Sequence, residues 1–600
     1  MFTIKGDKFY LNDKPIVLRS GAMHYFRVPK EYWEDRLKKL KAMGLNTVET
    51  YVAWNLHEKT QGEYDFNDML DIHEFILLAK SLSLYVIIRP GPYICAEFDN
   101  GGFPAYLYKD KNVVLRSSEP TYLEYVKTWF TRLFEEFSDL QISKGGNVIA
   151  MQIENEYGSY GSDKAYLKAL VDMYKELGID CLLFTADGGA KDAFTSGGSL
   201  PEIYKTLTFG STPKTAFDCL NGIETGPKCC MEFWVGWFDN WLTDHHSRPV
   251  EDVMKDLQYF IDNDISFNLY MFTGGTNFSF TAGANLVDEY LPTITSYDYG
   301  APLGEYGNYT PLYHAIRKSI LKRDRIKEED LPLPSEVKTQ NVGAVKLTKS
   351  ASLLSNLDNI SKPIKSHVPL SFADMGMTNG YAFYSTKIKG KYTLAPYEMA
   401  GLWTDTSLTL CNLNDLGYLY IDGKFNGRYW RNDAKRLHKF AMHSVELGDF
   451  NGEKKIDLLV DAMGGVNYGA FMGEQKGIEA LMISQQFVYD WECRALDMNK
   501  LESLDFDGKN QVPCFLMGEF TAKKQDCFVK LDGFTKGFVV VNGKNLGRYW
   551  NIGPQKTLYL PGCYLNDGIN KIIVFEQEGY HSPQIEIIDH PILDGAVSKA

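Results

Sequence analysis

From residue 15 to about residue 322, short apolar runs alternate with segments whose apolar residues recur every three or four positions. The runs read as strands buried on both faces: Val17–His24, Thr47–Trp54, Tyr85–Arg89, Val148–Ile153, Cys181–Ala186, Thr206–Gly210, Cys230–Phe233 and Phe267–Phe272. The segments between them read as amphipathic helices. Trp33, Leu37 and Leu40 make one apolar face before Gly44 stops the first, and Tyr122, Val126, Trp129, Leu133 and Phe137 repeat the pattern. Pro249 opens another helix, where Glu251 and Asp252 suit the positive end of the dipole. Eight such β–α units predict a parallel (β/α)8 TIM barrel. A doubly wound open sheet is the alternative, but no Gly-rich phosphate loop follows any strand.

Beyond the last barrel helix, Lys322–Val337 (KRDRIKEEDLPLPSEV) is charged and punctuated by proline, as a linker is. The rest reads as short strands separated by Gly, Asn and Asp turns, an all-β region. It contains a repeat: GYLYIDGKFNGRYW at Gly417–Trp430 and GFVVVNGKNLGRYW at Gly537–Trp550, 120 residues apart. That offset suits a whole β-sandwich better than a propeller blade or a solenoid unit. Asp422-Gly423 and Asn542-Gly543 are hairpin turn pairs. Six hundred residues exceed one core. The division expected is a barrel over 1–325, a linker over 326–337, and β-sandwich or jelly-roll domains over 338–478 and 479–600, with strand exchange between the two left open.

A net charge of −14 without a basic run excludes nucleic acid and anionic membrane as natural partners, and points to a neutral ligand. Aromatic residues make up 14% of the chain, and their faces suit the C–H face of a sugar ring. No stretch approaches a membrane span, and the first residues lack the apolar core of a secretion signal, so a cytoplasmic protein is expected. The ten cysteines form no CxxC pair and read as buried thiols. His24 and His57 lack a partner at metal-ligand spacing and read as satisfied residues of the barrel ends. Neither metal nor cofactor is expected, and homo-oligomerisation stays open.

In a barrel the chemistry sits at the C-terminal ends of the strands. The unusual residues fall there: His24-Tyr25, Tyr51 to Asn55, Pro90 to Glu97, Glu154 to Glu156, and Glu232 to Trp237. In IAMQIENEYGSY, Ile149–Tyr160, an apolar strand ends in Glu154, Asn155 and Glu156. Buried carboxylates are costly unless paired or used, although a solvated turn would also hold them. Glu232 ends the seventh strand in a matching way, so two carboxyl groups can converge across a ligand. Glycoside hydrolysis needs such a pair, at roughly 5–5.5 Å for retention of configuration and about 6.5–9.5 Å for inversion. Glu156 would then need a raised pKa to stay protonated.

Seven stretches carry a resemblance: SGAMHYFRVP (20–29), ETYVAWNLHE (49–58), RPGPYICAEFDNGGFPAYL (89–107), QIENEYGSYG (152–161), MEFWVGWFDNW (231–241), NLYMFTGGTNF (268–278) and TSYDYGAPL (295–303). Together they resemble the family 35 β-galactosidases, and residues 537–562 are similar to that family's C-terminal galactose-binding-like module. The resemblance implies a retaining exo-acting enzyme that removes terminal β-linked galactose. It implies Glu156 as acid/base, Glu232 as nucleophile, and Asn155 on the sugar 2-hydroxyl. Tyr51, Ala96 (through its backbone), Glu97 and Tyr299 match positions that hold the galactose. Phe280 and Trp234 stand where relatives carry tyrosine, so one hydroxyl contact is in doubt.

Trp234 and Trp237 are expected near the substrate, and Glu154 is expected to orient its neighbours. Trp237, Trp241 and Tyr468 would form an aromatic wall for the aglycone, unless the tryptophans pack beneath the barrel helices. The rival readings are an exo-glycosidase for another sugar, such as glucosamine or glucose, and a non-catalytic glycan-binding protein.

Overall fold

The computed structural model describes residues 1–393, 406–437 and 440–594. Eight parallel strands close into a barrel: Arg19–Met23, Thr47–Tyr51, Tyr85–Arg89, Val148–Gln152, Leu182–Gly188, Tyr204–Phe209, Cys229–Trp234 and Ser266–Thr273. Each overlaps a run predicted from the sequence. Neighbouring strands pair in chain order, and the eighth pairs with the first. Most of their residues are buried on both faces, inside against one another and outside against the helices, which is why the runs are continuous rather than alternating. The helices supply the outer layer with the faces read from the sequence: Trp33, Leu37, Leu40, Tyr122, Val126, Trp129 and Leu133 are all buried.

The first sixteen residues form a three-stranded antiparallel sheet. Its Phe2 and Phe9 pack with Leu18, Ile87, Ile149, Phe184, Tyr204 and Met231, so this sheet closes the end of the barrel opposite the C-terminal ends of its strands.

Among the described residues, the β region forms sheets of eight, six and five strands. The two repeated segments are hairpins, Leu416–Ile421 with Lys424–Trp430 and Lys536–Val541 with Lys544–Trp550. Their turn residues Asp422-Gly423 and Asn542-Gly543 have positive φ at both positions, the geometry that suits the twist of a two-residue hairpin. The hairpins meet where Trp430 and Trp550 stand edge to face at 5.9 Å. Below them Asp461 is buried against the charges of Lys536 and Arg548.

The sheets interleave along the chain rather than dividing at 478/479. Gly343–Ser352 pairs with Cys514–Ala522 and Gln584–Ile588 in the eight-stranded sheet. Trp491–Leu496 pairs back with Gly380–Tyr392 in the six-stranded sheet. Backbone pairing decides which core a strand joins, and it overrides position along the chain.

One core cluster joins both hairpins to the barrel's loops, with Trp241, Ala284, Ile294, Trp430, Phe538 and Trp550 in contact range. Trp241 is thus 1% exposed and cannot face an aglycone, which corrects its place in the expected wall. It packs against Gly553 of the β region, so the alternative of packing beneath the barrel helices is also replaced.

Candidate active site

The fourth strand carries its polar tip to the mouth on a backbone pinned to the fifth. The amide of Ile153 donates to the Phe184 carbonyl at 2.8 Å and that of Glu156 to the Ala186 carbonyl at 3.2 Å. Glu232 lies in the seventh strand at a ladder irregularity. Register shifts between Cys230 and Glu232 on one side and between Cys230 and Phe233 on the other. Such irregularities re-aim side chains beside functional sites.

Glu232 is 6% exposed, held by one ion pair and two hydrogen bonds. Arg89 Nη2 pairs with Oε1 at 2.6 Å, Tyr51 Oη donates to the same oxygen at 2.8 Å, and Trp234 Nε1 donates to Oε2 at 3.1 Å. A guanidinium and two further donors thus offset the cost of burying this carboxyl group.

Glu156 has the opposite surroundings. Its pKa is pushed up to about 7, by burial first and by the neighbouring Glu232 charge second, against the pull of the Thr208 hydrogen bond and Arg89. Thr208 Oγ1 donates to Glu156 Oε1 at 2.7 Å. Two carboxyl groups thus sit in one mouth, one surrounded by donors and the other held protonated to near neutrality. That division suits an acid and a nucleophile.

Asn155 is fixed between them. Its Oδ1 accepts from Arg89 Nη2 at 2.6 Å and Gln152 Nε2 at 3.0 Å and lies 2.8 Å from Tyr51 Oη, whose single proton it shares with Glu232, which leaves Nδ2 as the group able to donate to a ligand. Glu154 takes both arms of Arg116, Nε to Oε1 and Nη2 to Oε2 at 2.8 Å each. The same Nη2 donates to the Asn155 carbonyl at 2.7 Å, so Glu154 orients the turn and does not face the ligand.

Glu97 lies across the mouth, its Oε2 accepting from Tyr297 Oη, with burial raising its pKa to about 7. Tyr299 packs at 5.5 Å from both Tyr297 and Tyr270 and at 6.4 Å from Trp237.

Backbone strain gathers at these residues. Cys95, Ala96, Glu97, Glu154, Glu156 and Tyr299 all have φ between 47° and 62°, which side chains other than glycine adopt at a cost of about 1–2 kcal/mol each. Buried guanidiniums hold the turns: Arg27 Nη2 donates to the Ala96 carbonyl at 2.5 Å, as Arg116 does at Asn155.

The comparisons with known proteins agree with this geometry. The family model described as "Glycosyl hydrolases family 35" matches residues 8–322. The chain belongs to that family. Models described as "Beta-galactosidase, first all-beta domain" and "Beta-galactosidase, galactose-binding domain" match residues 369–497 and 513–570. The chain is 38% identical to human "Beta-galactosidase-1-like protein 2" over 98% of its own length and 91% of that protein's. It is 37% identical to bovine "Beta-galactosidase", covering 98% of this chain and 93% of the relative.

Several residues of this family 35 site were missed in the sequence. Arg89 ends a predicted strand and opens a quoted motif, without an assigned role. Thr208 looks like any β-branched strand residue. Glu49 gave a signal, a charge inside an apolar strand, and it is fully buried 3.7 Å from Arg89 with its pKa raised to about 7 by burial. Tyr270 and Tyr297 lay inside quoted motifs without an assigned role.

The histidines have local partners: His57 bonds Tyr25 Oη at 2.6 Å and the Asp65 carbonyl at 2.8 Å, and His24 Nδ1 bonds Arg27 at 2.6 Å. Phe280 turns toward the β region, 5.3 Å from Phe538 and 4.5 Å from the Arg548 guanidinium. Trp237 and Tyr468 are 40% and 38% exposed. Tyr468 follows a loop docked on the barrel, where the Gly465 amide donates to Asp99 at 2.6 Å and Tyr93 Oη to the Asn467 carbonyl at 2.6 Å.

Proposed function

We propose that the protein is a retaining, exo-acting β-galactosidase working by double displacement. Glu156 protonates the glycosidic oxygen while the Glu232 carboxylate attacks the anomeric carbon and forms a galactosyl-enzyme. Glu156, now ionised, takes a proton from water, whose oxygen displaces Glu232 and releases galactose with its configuration retained.

The observation that carries this reading is the contrast between the two carboxyl groups. Arg89, Tyr51 and Trp234 surround Glu232 with donors, whereas burial and the nearby charge keep Glu156 protonated to about pH 7. Asn155 Nδ2 is set to donate to the sugar 2-hydroxyl, and Tyr51, the Ala96 backbone, Glu97 and Tyr299 hold the ring. Galactose as the sugar rests on the names of the relatives and on the descriptions of the matched β-domain models. Trp237 and Tyr468 form the aglycone wall without Trp241.

Among the described residues, no helix is long and apolar enough to cross a membrane. A cytoplasmic location is proposed on the ten free thiols, seven of them buried, and cell fractionation tests it.

The experiment is hydrolysis of linkage-defined galactosyl disaccharides, with NMR of the first-formed anomer, beside nitrophenyl β-glucoside and β-glucosaminide controls. Release of β-galactose first is expected. Release of the α anomer first, or faster cleavage of another sugar, would overturn the reading.

A further inference from the structure

The acid that protonates a leaving group has two oxygens, and only one of them can carry the proton where it is needed. At Glu156 that choice is built into the sixth strand. Thr208 is 1% exposed, and its strand position is opposite Glu232 in the ladder. Its backbone is held between the fifth and seventh strands, which leaves the side chain little freedom. From there Oγ1 donates to Oε1 of Glu156 at 2.7 Å.

A carbonyl oxygen accepts a hydrogen bond better than the hydroxyl oxygen of the same carboxylic acid. With Oε1 committed to Thr208, the favoured neutral form carries its proton on Oε2. We propose that Thr208 is a positioning residue that fixes the Glu156 proton on Oε2 and stabilises the carboxylate formed when that proton leaves.

The inference rests on the acid/base role proposed for Glu156. During galactosyl transfer the Oε2 proton moves to the glycosidic oxygen as its bond to the anomeric carbon breaks. The electron pair of that bond goes to the same oxygen, and Glu232 makes the new bond to carbon. Negative charge then develops on Glu156, and the Thr208 bond to Oε1 becomes charge-assisted and stronger. An interaction that strengthens along the reaction lowers the barrier.

Other groups also act on Glu156. Glu232 and Glu97 disfavour its ionisation and Arg89 favours it. Asp187, Cys95, Tyr93 and Tyr299 face it from the fifth strand and from the loops carrying Tyr93 to Glu97 and Tyr299. None of these is altered by a change at Thr208, so its own contribution can be isolated.

The test compares wild type with Thr208→Val, which keeps the shape and removes the hydroxyl, and with Thr208→Ser, which keeps the hydroxyl. Each is assayed for kcat/KM on a galactosyl disaccharide and on 2,4-dinitrophenyl β-galactoside, whose leaving group needs no proton. Thr208→Val should lose roughly tenfold on the disaccharide and less than about twofold on the dinitrophenyl substrate. The basic limb of its disaccharide pH profile should move up by about half a unit or more, because the carboxylate has lost a donor. Thr208→Ser should recover most of the rate and the original limb.

Equal losses on both substrates, or an unmoved basic limb, would overturn the proposal. Glu156→Gln is run alongside. If it loses the disaccharide and keeps the dinitrophenyl substrate while Thr208→Val matches wild type, the positioning role alone falls. If it keeps the disaccharide, the acid/base reading falls and takes this inference with it.

Discussion

Arg89 and Glu232 form an ion pair of 2.6 Å between the third and seventh strands, with both side chains buried. The same guanidinium group bonds Asn155 and Gln152 and lies 4.1 Å from the Tyr51 ring. A lysine carries the charge but not the planar fork, so it can meet only part of this set. Arg89→Lys should therefore lower kcat/KM on nitrophenyl β-galactoside by about 10²-fold or more, with a lower unfolding temperature. Near-wild-type rates would mean that the fork is dispensable.

Replacing either carboxyl group separates their roles. Glu232→Gln should abolish turnover, by about 10³-fold or more, on every galactoside. Glu156→Gln should keep galactosylation by an activated aryl galactoside and stall at hydrolysis, so added azide should restore turnover and yield β-galactosyl azide. An α-azide, or no azide product at all, would contradict the assignment.

The pH dependence follows from Glu156. A carboxyl group raised to about 7 is protonated below that value and loses its proton above it. Hydrolysis of a galactosyl disaccharide should then fall about tenfold per unit above that range. Glu97 is also raised to about 7, so the limb measured belongs to the interacting set. The dinitrophenyl substrate, measured as kcat/KM, should lack most of this fall.

Glu49 offers a stability test. Its pKa in the folded chain is about 7 against an ordinary 4.5, so the folded state binds the proton more tightly than the unfolded state. Wild type therefore loses stability as pH rises from about 4.5 through 7, by roughly 1–3 kcal/mol from this group. Glu49→Gln lacks that loss. Its unfolding temperature relative to wild type should rise between pH 5 and pH 8, and a constant difference would refute the shift.

Trp241 and the exposed aromatics should part company. Trp237→Ala and Tyr468→Ala should slow disaccharide cleavage more than cleavage of nitrophenyl galactoside. Trp241→Ala should cost about 3–5 kcal/mol of stability in urea unfolding, with no preference between substrates beyond that.

The barrel was legible because strands buried on both faces must be apolar throughout, and helices with one buried face must be periodic. The two carboxyl groups were legible because each interrupts such a run at its end. Thr208 was not, since a hydroxyl in a strand looks the same whether or not it meets an acid. Neither was the role of Arg89, since an arginine at a strand end looks the same whether it meets water or a buried carboxylate. Strand membership in the β region was hidden for another reason. Gly343–Ser352 finds its partners near residues 514 and 584, and no local pattern records a pairing over that distance.

That same strand constrains how the molecule can be made. A ribosome completes the whole barrel and all six strands of the six-stranded sheet before either neighbour of Gly343–Ser352 exists. Until the last segment, Gln584–Ile588, emerges, the nascent protein carries a bare sheet edge, the kind of surface on which chains aggregate. Shortening the C-terminus would leave that edge permanently open.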